Sequence, residues 1–352
     1  MPLKTCRNCS QQIPVDANFC PYCTHPTSSR LWIWVSTHRK GIALGFALIV
    51  AFLIWRAPRH EPPPEPAPTE VPALLMSTIA PPASPNAPPT STPTMTPTSS
   101  PTPTVVVTKT ASTDGMVQVY IPAGEFSMGF DSGEDNEKPV HTVYLDGYWI
   151  DQTEVTNAQY TLCLTAGSCD EPFDLDSQIS DRFGDSEYAN HPVVFVDWNQ
   201  ANAYCTWAGR SLPTEAEWEK AARGTDGRTY PWGSVFDGEK VNYCDVNCWA
   251  EGWKDPNNND GYATTSPVGT YPDGASPYGA LDMAGNAYEW VLDWSGQYAS
   301  EPQSNPLGPD TGTEHILRGG SWGDDRNHIT ATIRSDEAPD FKRDFIGFRC
   351  AH

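Results

Sequence analysis

A long proline-rich segment, residues 58–113, most constrains how this chain can fold. It contains 16 of the 34 prolines, interspersed with Thr, Ser and Ala in runs such as TSTPTMTPTSSPTPT. Such a segment cannot bury enough apolar surface to offset the entropy of ordering, and its prolines favour extended polyproline II conformations. We therefore predict a disordered linker between a short N-terminal head and a C-terminal domain, residues 114–352, which is long enough for one core.

The two ends of the chain carry opposite charge. Residues 1–60 have a net charge of +6, whereas residues 114–352 carry 40 acidic against 14 basic side chains, a net charge of −26. An acidic domain of this kind repels phosphate backbones. Nucleic acid is therefore excluded as a partner of the C-terminal domain.

Four cysteines in the head form two CxxC pairs. Cys6 and Cys9 are followed, after ten residues, by Cys20 and Cys23. Two such knuckles place four thiolates around one Zn²⁺, and a head this small requires the metal to fold. We predict a closed, structural zinc ribbon over residues 1–30, with two disulfides or free thiols as the alternative.

An apolar run follows the head. Residues 41–55 carry no charge, and although this is shorter than the ~20 residues of a typical span, Lys40 and Arg56 can snorkel at its ends. We predict a single transmembrane helix over residues 38–57, against the alternative of a buried core helix. The basic head with its thiolates is expected in the reducing cytoplasm, and the C-terminal domain on the extracytoplasmic side of the cell membrane.

Local signals in the C-terminal domain predict short strands and capped helices. The runs VQVYIPAGEFSMG and HTVYLDGYWID have the composition of strands. Capping boxes begin at Thr156, Asp197 and Thr214, each with Gln or Glu three residues later, and each predicts a helix start. The fold class expected is α+β.

Six further cysteines lie in this domain, an even number that indicates three disulfides beyond a membrane span. The most economical pairing joins two close pairs and leaves one long-range bridge: Cys163–Cys169, Cys244–Cys248 and Cys205–Cys350. Other connectivities are open from sequence alone. A second zinc site is a competing interpretation, which the absence of CxxC spacing disfavours.

A series of motifs runs in order from about residue 116 to residue 350. They include IPAGEFSMG, EKPVHTVYLDGYWIDQTEVTNAQY, HPVVFVDW, LPTEAEWEKAARG, YGALDMAGNAYEW, RGGSW and IGFRC. Together they resemble the formylglycine-generating enzyme (sulfatase-modifying factor) family. The resemblance implies that family's C-type-lectin-like fold, an α+β fold with little regular secondary structure, and an activity that oxidises the cysteine of a Cys-x-Pro-x-Arg peptide motif.

The resemblance also implies two Ca²⁺ sites built from side-chain oxygens and backbone carbonyls. By position, the first would use Asn242 and Asp260 with the carbonyls of Tyr243 and Tyr262, and the second Asp282 and Glu289 with the carbonyls of Gly285 and Ala287. Hard oxygen donors of this kind suit Ca²⁺. Ordinary surface turns are the alternative interpretation.

The copper site that the resemblance implies is altered in this chain. Oxidising family members hold Cu(I) through two cysteines, six and eleven residues after the Arg of RGGS. Counted from Arg318, those positions hold Asp324 and Ile329. Because Cu(I) requires soft thiolate ligands, we predict that copper is not bound. A harder metal held by Asp324 and His328 is the alternative.

Other signals for catalysis are weak. Ser321 matches a GxSxG pattern but falls in the RGGSW motif rather than in the strand–turn–helix that a nucleophile elbow requires. Arg318 and Arg349 are expected to pair with core acids rather than to anchor a substrate.

The sequence therefore favours a membrane-anchored pseudo-enzyme over an enzyme. Its aromatic-rich groove would recognise an extracytoplasmic protein, peptide or glycan, and the zinc ribbon could meet a cytoplasmic partner. The alternative is an active oxidoreductase of the sulfatase-modifying factor family, generating formylglycine or performing another metal-dependent oxidation.

Overall fold

The computed structural model describes residues 106–172, 182–248 and 254–352, together with the backbone of two short strands near the N-terminus. The chain divides into two units, Met1–Thr94 and Met95–His352. In the first unit, β1 (Leu3–Thr5) pairs antiparallel with β2 (Gln12–Pro14).

Several predictions for the N-terminal region fall outside the described residues. These are the zinc ligands Cys6, Cys9, Cys20 and Cys23, the transmembrane helix over residues 38–57, and the linker up to residue 105. Within the described part of the chain, no helix combines the length and the apolar character needed to cross a membrane.

The strands of the second unit form three small sheets. One contains β3 (Thr108–Thr110), β4 (Val117–Ile121) and β7 (Tyr148–Asp151), all antiparallel. Another contains β5 (Gly124–Met128), β6 (His141–Leu145) and β9 (Gln303–Ser304), with β9 parallel to β6. The largest has the order β11 (Arg334–Glu337), β10 (His315–Arg318), β8 (Tyr288–Trp294) and β12 (Ile346–Phe348), with β12 parallel to β8.

Three α-helices begin at the predicted capping boxes. They are α1 (Asn157–Thr165), α2 (Trp198–Trp207) and α3 (Glu215–Arg223). In each, the N-cap side chain accepts a hydrogen bond from the backbone N–H three residues later, and the Gln or Glu at that position accepts one from the N-cap backbone. These bonds satisfy N–H groups that have no partner inside the helix, which confirms the helix starts.

Aromatic and aliphatic side chains fill the core between the sheets and the helices. Trp218 of α3 is fully buried in a cluster with residues of β4 to β7. On the other side, Tyr160 of α1 stacks on Tyr204 of α2 at a centroid distance of 5.6 Å, and both pack against Phe348 of β12. Helices α1 and α2 therefore pack against β12, one edge of the four-stranded sheet, whereas α3 packs against the two three-stranded sheets.

Three disulfides crosslink the second unit with the predicted pairing, Cys163–Cys169, Cys205–Cys350 and Cys244–Cys248. The long-range bridge fastens α2 to the C-terminal segment after β12. Mixed helix and sheet of this kind agrees with the expected α+β class.

Candidate functional site

The loop after β10 carries the two positions where copper-binding thiolates are expected. It begins at Gly319, just beyond β10, so Ser321 lies in a loop. The Oδ2 atom of Asp324 accepts hydrogen bonds from the backbone N–H of Ser321 at 3.0 Å and from its hydroxyl at 2.6 Å. The carboxylate at the first copper position therefore closes its own turn.

The surroundings of Asp324 are partly desolvated. Burial raises the pKa of its carboxyl, while the hydrogen bonds from Ser321 oppose the shift. Burial, followed by the nearby charge of Asp324, raises the pKa of the Tyr288 hydroxyl, which also bonds to Asp324. The backbone carbonyl of Asp324 accepts a bond from the N–H of Cys244 at 2.9 Å, so the loop is fastened to the Cys244–Cys248 bridge.

Ile329, at the second copper position, is a core residue. It is fully buried in a cluster with Tyr230 and Tyr243. The loop approaches it so closely that a Cβ on Gly320 would lie 2.7 Å from the Ile329 Cγ2 atom, and Gly320 has a φ of +73°. Only glycine fits this position. The space that a second thiolate would occupy is thus filled by a packed aliphatic side chain.

A harder metal at this loop finds no support in its geometry. The Nδ1 atom of His328 contacts the carboxylate of Asp325 at 2.9 Å. Within the described ranges, no three His, Cys, Asp or Glu side chains are grouped to hold a metal ion.

The first predicted calcium set lies beside the Cys244–Cys248 bridge. Asn242 is buried, and its Oδ1 atom has no hydrogen-bond partner in the described part of the protein. Asp260 accepts bonds from the backbone N–H groups of Tyr243 and Tyr262, at 3.3 and 2.8 Å. Burial, with a contribution from the charge of Asp245, raises the pKa of Asp260 to about 6. An amide oxygen that no donor reaches is one that a bound cation could contact.

The second predicted set contains more buried negative charge than its protein partners neutralise. Glu289 accepts two bonds from Arg349, at 2.6 and 2.7 Å, and one from the Trp218 indole at 2.8 Å. Asp282 accepts a bond from the Gly269 N–H at 2.6 Å.

A third carboxylate, Glu154, joins this set although sequence reasoning did not select it. It is fully buried; no protein N–H or O–H among the described residues donates to its Oε2 atom, and its carboxyl lies within hydrogen-bond reach of Asp282. Burial, and then the charges of Asp282 and Glu289, raises the pKa of Glu154 well above its usual range. All three carboxylates interact electrostatically with the Arg349 guanidinium, which balances only part of their charge, although the described residues contain no group of three such side chains placed to hold a metal ion.

Asn286 connects the two sets. Its Oδ1 accepts a bond from the Asn242 amide at 3.0 Å, and its Nδ2 donates to Glu154 at 2.9 Å. Gly285 allows the two backbone segments to approach each other closely, because a Cβ at this position would lie 2.1 Å from the carbonyl oxygen of Asn242. The structure thus places Glu154 beside Asp282 and Glu289, Asp245 beside Asp260, and Asn286 beside Asn242, and the two calcium sites stay a prediction. The only sequence signal for Glu154 was its place in the DQTEVT motif.

The two candidate arginines are structural. Arg318 is fully buried and donates to Glu219 at 2.6 Å, and Arg349 pairs with Glu289. Both ion pairs agree with the expectation from sequence. Neither guanidinium is presented to a ligand.

A surface pocket of about 280 Å³ lies next to the Asp324 loop. Its walls include Tyr243, Lys254, Asp255 and Arg326. The pocket combines an aromatic ring with side chains of both charges, which suits a polar peptide or protein segment.

Comparison with known proteins identifies the second unit. Residues 103–352 match the sulfatase-modifying factor enzyme 1-like domain. The formylglycine-generating enzyme of Streptomyces coelicolor is 37% identical over 283 residues, which covers 67% of this chain and 88% of that protein. The inactive C-alpha-formylglycine-generating enzyme 2 of Bos taurus is 32% identical and covers 68% of this chain and 88% of its own length.

A solved structure shares the fold. PvdO from Pseudomonas aeruginosa superposes with a TM-score of 0.57 at 26% identity, covering 70% of this chain and 97% of that one. With the sequence match over residues 103–352, this places the chain in the sulfatase-modifying factor (formylglycine-generating enzyme-like) family.

Proposed function

We propose that this chain is a membrane-anchored pseudo-enzyme whose extracytoplasmic domain binds a protein, peptide or glycan and no longer oxidises cysteine through copper. One observation carries the proposal. The two positions that bind Cu(I) in oxidising relatives hold Asp324, whose carboxylate is engaged by Ser321, and the buried Ile329. A hard carboxylate and an aliphatic side chain cannot replace two thiolates around Cu(I).

The family itself contains proteins of both kinds. One relative carries the name of an active formylglycine-generating enzyme and another the name of an inactive one. The sequence identities to the two are similar, so overall similarity does not distinguish the two classes. The proposal therefore rests on the residues at the copper positions.

Calcium would serve as a structural ion in the binding domain. The unpaired Oδ1 of Asn242 and the Glu154, Asp282 and Glu289 carboxylates support two sites. Bound Ca²⁺ would hold the Cys244–Cys248 region and the start of β8 in fixed positions next to the Asp324 loop.

The N-terminal part would anchor and connect the domain. In our proposal a zinc ribbon lies in the cytoplasm, a single helix over residues 38–57 crosses the membrane, and the proline-rich linker holds the domain away from the bilayer. The charge difference between the two ends of the chain supports this orientation.

Peptide oxidation tests the loss of catalysis. The protein is loaded in turn with Cu(I) and Fe(II) under oxygen and incubated with a Cys-x-Pro-x-Arg peptide, and mass spectrometry follows thiol-to-aldehyde conversion. The proposal expects no conversion with either metal. Conversion by the wild-type protein would replace the pseudo-enzyme with the alternative, an active oxidoreductase.

A further inference from the structure

A second cavity lies away from the Asp324 loop, between β8, β11 and the segment leading into β10. Its volume is about 340 Å³, at the lower end of the roughly 300–1,000 Å³ typical of small-molecule sites. It shares no lining residue with the pocket beside the Asp324 loop. Its apolar walls are formed by Met128, Pro306, Leu307 and Pro309, and its aromatic walls by Trp294 and Tyr298.

One carboxylate oxygen in this cavity lacks a protein partner. Asp293 is only 5% exposed. Its Oδ2 accepts a hydrogen bond from the backbone N–H of Glu215 at 2.8 Å, but across the described ranges no donor reaches Oδ1. Since no protein donor reaches this oxygen and protein atoms do not enclose it, it is open to the cavity, where the N–H of a ligand can reach it.

The loop that covers Asp293 is built to approach it closely. Gly308 has a φ of +69°, and a Cβ at this position would lie 2.8 Å from the Asp293 Oδ1 atom. Any other side chain would therefore fill the space in front of that oxygen.

The neighbouring carboxylate is already neutralised. Glu215 receives bonds from Arg334 at 2.6 and 2.9 Å and from the Tyr298 hydroxyl at 3.1 Å. Burial alone would raise the pKa of Glu215, but the guanidinium groups of Arg334 and Arg318 outweigh it and hold the pKa below its usual value. Asp293 is thus the acid in this cavity whose charge lacks a bidentate guanidinium partner.

The shape of the acceptor favours an ammonium over a guanidinium. A guanidinium binds best to two coplanar oxygens, whereas an ammonium is a compact point charge that a single oxygen can hold. The net charge of −26 over residues 114–352 also attracts cations to the domain.

We propose that this cavity accepts an alkylammonium group, as carried by a lysine side chain or a free primary amine, with the Asp293 Oδ1 atom as its hydrogen-bond acceptor. This site is independent of whether the Asp324 loop binds copper.

Calorimetric titration of the full-length protein at pH 8 tests this site. The probes are n-butylammonium, Nα-acetyl-lysine methylamide, and n-butanol as a neutral analogue of similar shape. We expect both ammonium probes to bind at least tenfold more tightly than butanol, and Asp293→Asn to weaken them at least tenfold. Asp310→Asn, at an exposed position, should leave binding unchanged.

A blocking variant covers the case in which Asp293→Asn does not fold. Ala299 is exposed and lines the cavity, so Ala299→Trp should fill the entrance and abolish binding while the melting temperature is retained. Tighter binding of the lysine derivative than of butylammonium would identify a peptide as the source of the group, and the reverse order a free amine. Equal binding of butylammonium and butanol, or ammonium binding that survives both variants, would overturn the site.

Discussion

Asp324 accepts two hydrogen bonds from Ser321, one from its backbone N–H at 3.0 Å and one from its hydroxyl at 2.6 Å. The Asp324 carboxylate, at a position where a copper-binding thiolate is expected, therefore stabilises the loop after β10. Ile329, five residues later, completes a small aromatic core. Both positions have been taken over by residues that stabilise the loop, and neither carries a soft ligand.

Removal of calcium should destabilise the domain. If Ca²⁺ binds the sets around Asn242 and Asp282, EGTA should lower the melting temperature, because an ion present at 100 times its Kd stabilises the folded state by about 2.7 kcal/mol. Differential scanning calorimetry checks this. Asp282→Asn should reduce the EGTA-dependent decrease in melting temperature, whereas Asp310→Asn should leave that decrease unchanged. A melting temperature of the wild-type protein that does not change with EGTA would count against both calcium sites.

The three disulfides should contribute unequally to stability. Loop entropy predicts a loss of about 5 kcal/mol when the 145-residue Cys205–Cys350 loop is opened, but only about 2 kcal/mol for the six-residue Cys163–Cys169 loop. Each pair is replaced by alanines and the free energy of unfolding is measured in urea. An equal loss in the two variants would contradict the entropic explanation.

The stability of the domain should depend on pH through Asp293. Burial, and then the charge of Glu215, raises the pKa of Asp293 to about 7. Because this exceeds the unfolded value of ~3.9, the stabilisation from the bound proton is complete below about pH 4 and is lost as the pH rises through about 7.

The side chain of Asp293→Asn cannot ionise. Between pH 5 and pH 8 the free energy of unfolding of this variant should therefore fall by about 2.6 kcal/mol less than that of the wild-type protein. Glu215, Glu217 and Arg334, whose charges act on Asp293, are present in both proteins, so the difference between the two curves reports the ionisation of Asp293 together with its coupling to these groups. Urea unfolding at several pH values gives the two curves. Parallel curves would show that Asp293 is ionised throughout.

The buried ion pairs around Glu219 should be sensitive to loss of one partner. Its carboxylate receives bonds from Arg318 at 2.6 Å, from Arg223 at 2.9 Å and from the Gly129 N–H at 2.8 Å. Glu219→Gln leaves two guanidinium groups with less compensation and should cost about 3–5 kcal/mol. Glu239→Gln, on the surface, should change the free energy of unfolding by less than about 0.5 kcal/mol. A loss at Glu219 no larger than at Glu239 would refute the structural role of this network.

Local features of the fold were predictable from sequence. The helix starts at Thr156, Asp197 and Thr214 follow from side chains that satisfy neighbouring N–H groups. Two disulfides join cysteines four and six residues apart, and the third follows once they are paired.

Long-range contacts were not predictable in the same way. Glu154 joins Asp282 and Glu289 because β12 runs parallel to β8 and brings Arg349 between them. The residues next to Glu154 in the sequence give no indication that it lies beside Asp282 and Glu289. The Asp293 cavity likewise depends on a loop that brings Gly308 next to the Asp293 side chain. A single sequence does not predict that contact between distant segments of the chain.

The copper site is tested most directly by a Cu(I) titration of residues 114–352 against a chromophoric Cu(I) chelator, with ascorbate as reductant so that the disulfides stay intact. The wild-type domain is predicted to leave all the copper on the chelator, and an Asp324→Cys/Ile329→Cys variant to withdraw about one equivalent. Withdrawal of one equivalent by the wild-type domain would contradict the loss of the copper site and with it the pseudo-enzyme.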